Sequence, residues 1–441
     1  MTQATPLTRG DRRRNEKLAR LRSIVRHDLA IVAVDLASAK QAVVVTDHDS
    51  VTLGRRMFEG SPWRVDDILD WAAPLARKAG FAGIVLACEP TGYRWKPLLD
   101  RTRTRGVGLV CVQPMLVHRG REGEDFTKDR SDFKDATIIA RLVGELRCYV
   151  PHAPEGHWCR LRHLGARRAA LLVTAGAARQ SVRDLLECAW PAVLGTARKP
   201  LKSLTWRAAM TVSADPQAIV AMGFDAFASA VAAELPRWGT KRRHLRILRA
   251  IFAAAQVPGG VAWEREAATE RASFALSDWH RALDELAEVE RRMVEVLDAL
   301  DLSELVTTIP GLTPVTGAAI LAEVGDPARY DCARTWVKHA GLCPRANESG
   351  TFKGRTKTSG RGRPGLRTAA WRAIWGAVRV NEVYAARFAY LTTRPRNRLE
   401  PGQARAAIGA ALLRQLFVVV TRRVAWNPAI AAGAEVMTEA A

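Results

Sequence analysis

The chain of 441 residues lacks paired cysteines. Its seven Cys residues are scattered through apolar or helical contexts and none stands in a C-x-x-C pair. That argues against a zinc site and a disulfide framework, and leaves them as small core residues of a reducing compartment. No uncharged apolar run approaches the roughly 20 residues of a membrane-spanning helix. The first residues, among them Arg9, Arg12, Arg13, Arg14, Lys17 and Arg20, have neither the apolar centre nor the small-residue cleavage site of a secretory signal. A cytoplasmic, nucleoid-associated protein without a membrane partner is the expectation. No helix-turn-helix or zinc-finger signature is recognisable to read base edges. Negative charge is also short: 45 Asp and Glu stand against 67 Lys and Arg, a formal net charge of +22. Such an excess favours a polyanionic partner, with nucleic acid ahead of an anionic membrane surface.

Against this cationic background four acids stand out. Asp35 closes the apolar run Ile31-Val32-Ala33-Val34, and Glu89 closes Ile84-Val85-Leu86-Ala87-Cys88. Both carboxylates would project from the ends of buried strands, where α/β sheets place their sites. Asp132 and Asp135 lie three apart on an expected helix and therefore share a face. An all-oxygen set favours Mg²⁺, or Mn²⁺, over zinc. Taken singly, each of the first three has an ordinary explanation: Asp35 a turn cap, Glu89 a solvated loop, Asp132 a helix N-cap. Their joint arrangement points to metal-dependent phosphodiester chemistry.

The pattern along the chain predicts strands near 29–36, 41–46, 51–58, 82–88 and 107–112. Helices are expected at about 63–78, after Thr91, and from Asp132 to about Arg147, with a Gly- and charge-rich loop over Arg119–Lys128. The order β-β-β-α-β-α-β-α implies a mixed sheet flanked by helices, the ribonuclease H-like, RuvC-like plan. Beyond Pro151 and Pro154, Leu161, Leu164, Leu171, Ala175, Ala178, Val182 and Leu185 trace the seam of one long helix. A second seam runs through Leu276, Trp279, Leu283, Leu286, Met293, Leu297 and Leu300, interrupted by Glu290. The two helices can pair with each other or between subunits. The Ala-rich segment between them, about 195–270, is expected to be helical and suggests no chemistry beyond its basic clusters.

The expected division is a basic leader (1–28), a RuvC-like domain (29–150), a helical and coiled-coil region with a basic insert (151–303), a mainly helical domain (304–428) and a tail (429–441). The last domain opens with Ile309-Pro310-Gly311-Leu312-Thr313-Pro314, a turn resembling a helix-hairpin-helix element whose backbone N–H groups grip phosphate. From Ser349 to Val380 there is no acidic residue. Within that tract Lys353, Arg355, Lys357, Arg361, Arg363 and Arg367 are candidate nucleic-acid contacts, and its glycines would allow close approach to a backbone.

Assembled in order, these pieces resemble the DEDD-type insertion-sequence transposases that act as bridge-RNA-guided serine recombinases. The matching segments are Asp35-Leu36-Ala37 with Lys40, Cys88-Glu89-Pro90-Thr91-Gly92-Tyr93 with Trp95, Asp132-Phe133-Lys134-Asp135-Ala136 and Ile139-Ala140-Arg141-Leu142. Toward the other end they are Ile309-Pro310-Gly311, Ala340-Gly341-Leu342-Cys343-Pro344-Arg345, Glu348-Ser349-Gly350 and the basic run ending in Leu366-Arg367. The resemblance implies Mg²⁺ held by the four carboxylates, Ser349 as a nucleophile forming a phosphoserine link to DNA, and donor and target DNA duplexes as substrates. It also implies a noncoding bridge RNA as guide and a dimeric or tetrameric homo-oligomer. Ser359-Gly360 offers a second serine, and Asp129 a further acid near the helical pair. Two other readings stay open: a metal-only nuclease of the junction-resolvase kind, and a non-catalytic nucleic-acid-binding protein.

Overall fold

The computed structural model describes residues 6–124, 131–154, 156–345, 347–349, 352–354 and 356–432, with Glu124, Glu348, Phe352 and Lys353 described in their backbone alone. Asp129, Gly350, Arg355 and most of the expected tail lie outside the described residues. The chain forms two compact units, Met1–Ala153 and Pro154–Ala441.

In the first unit the expected leader is helical. α1 (Arg9–Arg22) starts at a capping box in which Thr8 and Asp11 satisfy each other's amides, and Leu21 and Val25 carry it into the core. Next come β1 (Leu29–Asp35), β2 (Lys40–Thr46), β3 (Thr52–Glu59), α2 (Val65–Lys78), β4 (Gly83–Cys88), α3 (Trp95–Thr104), β5 (Gly108–Cys111), α4 (Pro114–Glu124) and α5 (Asp132–Gly144). The sheet order is β3-β2-β1-β4-β5. β1 is antiparallel to β2 and parallel to β4, and β5 continues the parallel half. This mixed sheet is compatible with a ribonuclease H-like domain.

Alternation sorts the strands onto two faces. Val32, Val34, Val43 and Leu86 pack under α2 and α3, whereas Ile31, Ala33, Val85, Ala87 and Val110 pack under α1, α4 and α5. The loop expected at Arg119–Lys128 is, over its described part, the end of α4. Gly120 is there for packing and not for a turn, since a Cβ on it would come within 2.6 Å of Ile138 in α5.

In the second unit, α6 (Gly156–Ala189) runs beside α11 (Arg265–Ala299). Arg160 pairs with Glu295, Arg168 with Glu290 and Arg167 with Glu285, so the two helices are antiparallel. They pair within the chain, burying Leu161, Leu171 and Val182 against a core that includes Leu276, Trp279 and Met293. Glu290, the break in the second seam, accepts a 2.8 Å hydrogen bond from Arg168 at a largely buried position. Between them α7 (Leu204–Val212), α8 (Pro216–Met222), α9 (Phe224–Glu234) and α10 (Leu245–Gln256) form a helical insert. It is knitted to the helix ends by indole donors, Trp190 to the Ala254 carbonyl and Trp206 to the Val193 carbonyl.

The remainder comprises α12 (Ser303–Thr307), α13 (Pro314–Val324), α14 (Ala333–His339), the two-residue strands β6 (Pro344–Arg345), β7 (Glu348–Ser349), β8 (Phe352–Lys353) and β9 (Lys357–Thr358), then α15 (Pro364–Val380), α16 (Glu382–Thr393), α17 (Pro401–Arg422) and α18 (Pro428–Ala432). α17 is long and apolar enough to cross a membrane by length and composition. Here Ile408, Leu412, Leu413 and Leu416 are fully buried in the core. The turn at Gly311 differs from the phosphate-gripping expectation. Gly311 has φ +89°, and a Cβ on it would collide with the backbone of Ala377 in α15. The following amides, Leu312 and Thr313, already donate to the Ile309 carbonyl and the Thr316 hydroxyl. This glycine serves helix packing.

Candidate metal centre and nucleic-acid interface

The parity that buries Ile31 and Ala33 under α5 continues to Asp35, and that of Val85 and Ala87 continues to Glu89. The two strands are parallel neighbours in register to Val34 and Cys88. Asp35 and Glu89 therefore leave adjacent strand ends on the same face, toward the first turn of α5. Ser131 caps that helix, accepting a 3.2 Å hydrogen bond from the Lys134 amide, and its first turn carries Asp132 and Asp135. Carboxylates at a helix N-terminus are favoured by the dipole, and here the helix turns them toward the strand ends.

Asp35 registers the crowding. Burial, reinforced by Asp135, Asp132 and Glu89 and opposed by Arg121, pushes its carboxyl up to about 6. Burial also raises Glu89, while Arg121 pulls it back. The structure thus brings the four acids into one electrostatic neighbourhood, and an all-oxygen anionic set fits a hard divalent cation. Among the described residues, however, no three His, Cys, Asp or Glu side chains form a ready cage for an ion. One cause is visible: Arg121 on α4 grips Asp135 with both arms of its guanidinium, at 2.5 and 2.7 Å. Asp135 is only 13% exposed there and Arg121 25%. Arg121 supplies the positive charge that the cluster otherwise lacks. In the sequence Arg121 sits in a Gly- and charge-rich stretch that reads as a loop, and its one signal is a basic residue one helix away from the acidic pair.

The second unit places the other candidates. Ser349 lies exposed on β7, paired with Phe352 of β8 in a two-residue hairpin. Below it, β6 pairs with β9 through Pro344–Thr358 and Arg345–Lys357. Ser359 is half-buried at the base, where its hydroxyl accepts from the Cys343 thiol at 3.4 Å. Of the basic candidates, Lys357 and Arg361 are exposed. Arg363 and Arg367 turn inward: Arg363 donates to Glu323 at 3.2 Å, and Arg367 donates to the carbonyls of Ala340 and Gly360 at 3.0 and 3.2 Å. The tract is a docked element more than a free loop. Lys353 is described only in its backbone, and Arg355 lies outside the described residues.

Two family descriptions match this chain. Residues 32–191, which span all four acids, match the DEDD transposase domain of the IS110 type, and residues 303–389 match "Transposase IS116/IS110/IS902 family". Both matches are to transposases of the IS110/IS116 kind. It is also similar to an uncharacterized 44.8 kDa protein of insertion element IS116 from Streptomyces clavuligerus, 26% identical over 339 residues that cover 75% of this chain and 79% of the relative. A DEDD transposase domain implies a divalent metal, and a transposase implies contact with DNA.

Proposed function

We propose that this insertion-sequence transposase cleaves and rejoins DNA, with Asp35, Glu89, Asp132 and Asp135 holding Mg²⁺ or Mn²⁺ and Ser349 acting as the nucleophile. The observation that carries the first part is the shared face of the four carboxylates at parallel strand ends, within the segment that matches the DEDD domain. A divalent ion bound there would stabilise charge on phosphoryl oxygens and lower the pKa of an oxygen nucleophile. The chain's own contribution is orientation: the sheet fixes Asp35 and Glu89, α5 fixes the other two, and Arg121 holds Asp135 in place.

For the serine, exposure on β7 supports Ser349 over Ser359, whose hydroxyl is engaged by the Cys343 thiol. In the proposed step, the Ser349 oxygen attacks phosphorus and loses its proton. The phosphodiester P–O bond to the neighbouring sugar breaks, and the released sugar oxygen is protonated. The phosphoserine retains the phosphoryl group until a sugar hydroxyl of the second duplex displaces the serine. Lys357 and Arg361 would attract the DNA backbone without reading sequence. With no recognised base-reading motif, target choice falls to a noncoding bridge RNA, and a homo-oligomer brings the duplexes together.

The test of the serine step is a denaturing gel of protein with insertion-sequence end DNA. Wild type and Ser359→Ala give a covalent protein–DNA adduct, and Ser349→Ala gives none. Strand cleavage without an adduct in wild type would instead support attack by water, as in a metal-only nuclease. Assaying RNA-free protein with and without the RNA transcribed from the flanking DNA tests guidance: efficient site-specific exchange without RNA would refute it.

A further inference from the structure

Away from the carboxylates, the second unit crowds cations around one acid. Gly165 lets α6 pack directly on Ala322 of α13, because a Cβ there would collide with that alanine. Arg162 shares this face of α6 and so lies beside Glu323. Glu323 already accepts from Arg363 at 3.2 Å, and its carboxylate lies where a Cβ on Gly365, in the first turn of α15, would stand. Arg329 is pinned nearby. It donates to the Tyr330 hydroxyl at 2.6 Å, its guanidinium lies 4.6 Å from that ring's centre, and the hydroxyl in turn donates to the Val324 carbonyl.

Two guanidiniums, Arg363 and Arg162, therefore face one carboxylate, with the exposed Arg329 beside them. Among the described residues Arg162 has no hydrogen-bond or ion-pair partner. The His339 ring stands 6.0 Å from Tyr330, and its Nε2 is buried with no partner among the described residues. Burial and the like charges of Arg363 and Arg329 pull Arg162 below its ordinary pKa. His339 is pushed down to about 4 by burial and all three arginines, so it is neutral near pH 7 and can donate one N–H. A half-buried guanidinium without a partner, Arg162, beside a buried idle donor is costly unless an anion completes the site. Guanidinium forks match phosphate geometry.

The position suggests which phosphate. The Arg363 amide donates to the His339 carbonyl at 2.7 Å and the Gly360 amide to the Gly341 carbonyl at 3.0 Å, so the cluster forms the foot from which the Ser349 hairpin rises. We infer that Arg162, Arg329, Arg363 and His339 form a site for one backbone phosphate of a DNA strand, anchoring that strand at the foot of the Ser349 hairpin. The choice of DNA rests on the transposase reading above.

The test uses the full chain with chelator present. Thermal melts in sodium phosphate are compared with melts in sodium chloride of equal ionic strength, and binding to a short duplex of unrelated sequence is titrated with salt. Wild type melts higher in phosphate. Arg162→Gln loses at least half of that rise, binds duplex roughly tenfold more weakly at low salt, and has a salt slope lower by about 0.9. Arg162→Lys falls between, and Arg198→Gln, at an exposed position ahead of the helical insert, behaves as wild type in the melts. If Arg162→Gln retains the full phosphate-dependent rise, the site is a structural ion network and the inference is overturned. If the rise is lost but duplex affinity and slope are unchanged, the site takes free phosphate and the DNA assignment is overturned. Neither readout needs strand cleavage. Ser349→Ala leaves both as in wild type, so loss of the serine reading would be recognised separately.

Discussion

Asp35 is the residue at which the cost of gathering four carboxylates is most visible. Its folded pKa, about 6, lies above the ordinary 3.8, so the folded protein holds this proton more tightly than the unfolded chain does. The associated stability is fully present below about pH 4 and is lost as pH rises through about 6. Asp35→Asn, melted with chelator, should therefore be more stable than wild type at pH 7.5 and nearly equal to it at pH 4; a difference that does not change with pH would show that the cluster does not strain the fold. Arg121 acts in the opposite direction. Arg121→Ala leaves Asp135 nine-tenths enclosed without its partner and should cost the metal-free protein about 1–3 kcal/mol. Added Mg²⁺ or Mn²⁺ should then raise the melting temperature of Arg121→Ala more than that of wild type, and an equal rise would mean that Arg121 does not stand in for the ion's charge. The positions of Asp35 and Glu89 were readable in the sequence because strand ends advertise themselves through the apolar runs they close. Arg121 was not, because its relation to Asp135 arises only when α4 folds against α5.

Among the elements, glycine accounts for what local pattern misjudged. Gly120 reads as loop composition, yet it is the contact that brings α4 onto Ile138, and so places Arg121 beside Asp135. Gly311 reads as a phosphate-gripping turn, yet its positive φ and the closeness of Ala377 make it a packing device. Gly311→Ala should destabilise the chain by more than about 2 kcal/mol, combining a collision with a disfavoured backbone conformation; denaturant midpoints unchanged from wild type would show that α15 does not lie against this turn. The long helices show the reverse situation. Their seams were legible from leucine spacing, and Glu290 looked like a defect because its partner, Arg168, lies on the other helix. Arg168→Ala alone should cost about 3 kcal/mol by stranding Glu290, whereas Arg168→Met with Glu290→Leu should be near neutral. Equal losses in the single and double variants would argue that the pair is not coupled.

At the scale of the whole molecule, the mixed sheet of the first unit was legible from where apolar runs and helical spacing alternate along the chain, because short strand-to-strand connections imply antiparallel pairs and helical crossovers parallel ones. The helical insert showed its helices but no chemistry, since its tryptophans and alanines are spent on packing around the ends of α6 and α11. The two family matches fall on either side of that insert, one holding the acids and the other Ser349, which is why the proposed reaction needs both units. The four acids are proposed to hold the ion that makes strand exchange possible. This is tested most directly by measuring strand exchange and duplex binding side by side for Asp35→Ala, Glu89→Ala, Asp132→Ala and Asp135→Ala, with Mg²⁺ and with chelator. Wild type should exchange strands only with the metal, none of the four variants should, and all of them should retain duplex binding; exchange that persists in chelator, or in a variant that has lost one of these carboxylates, would show that the ion is not held by these acids.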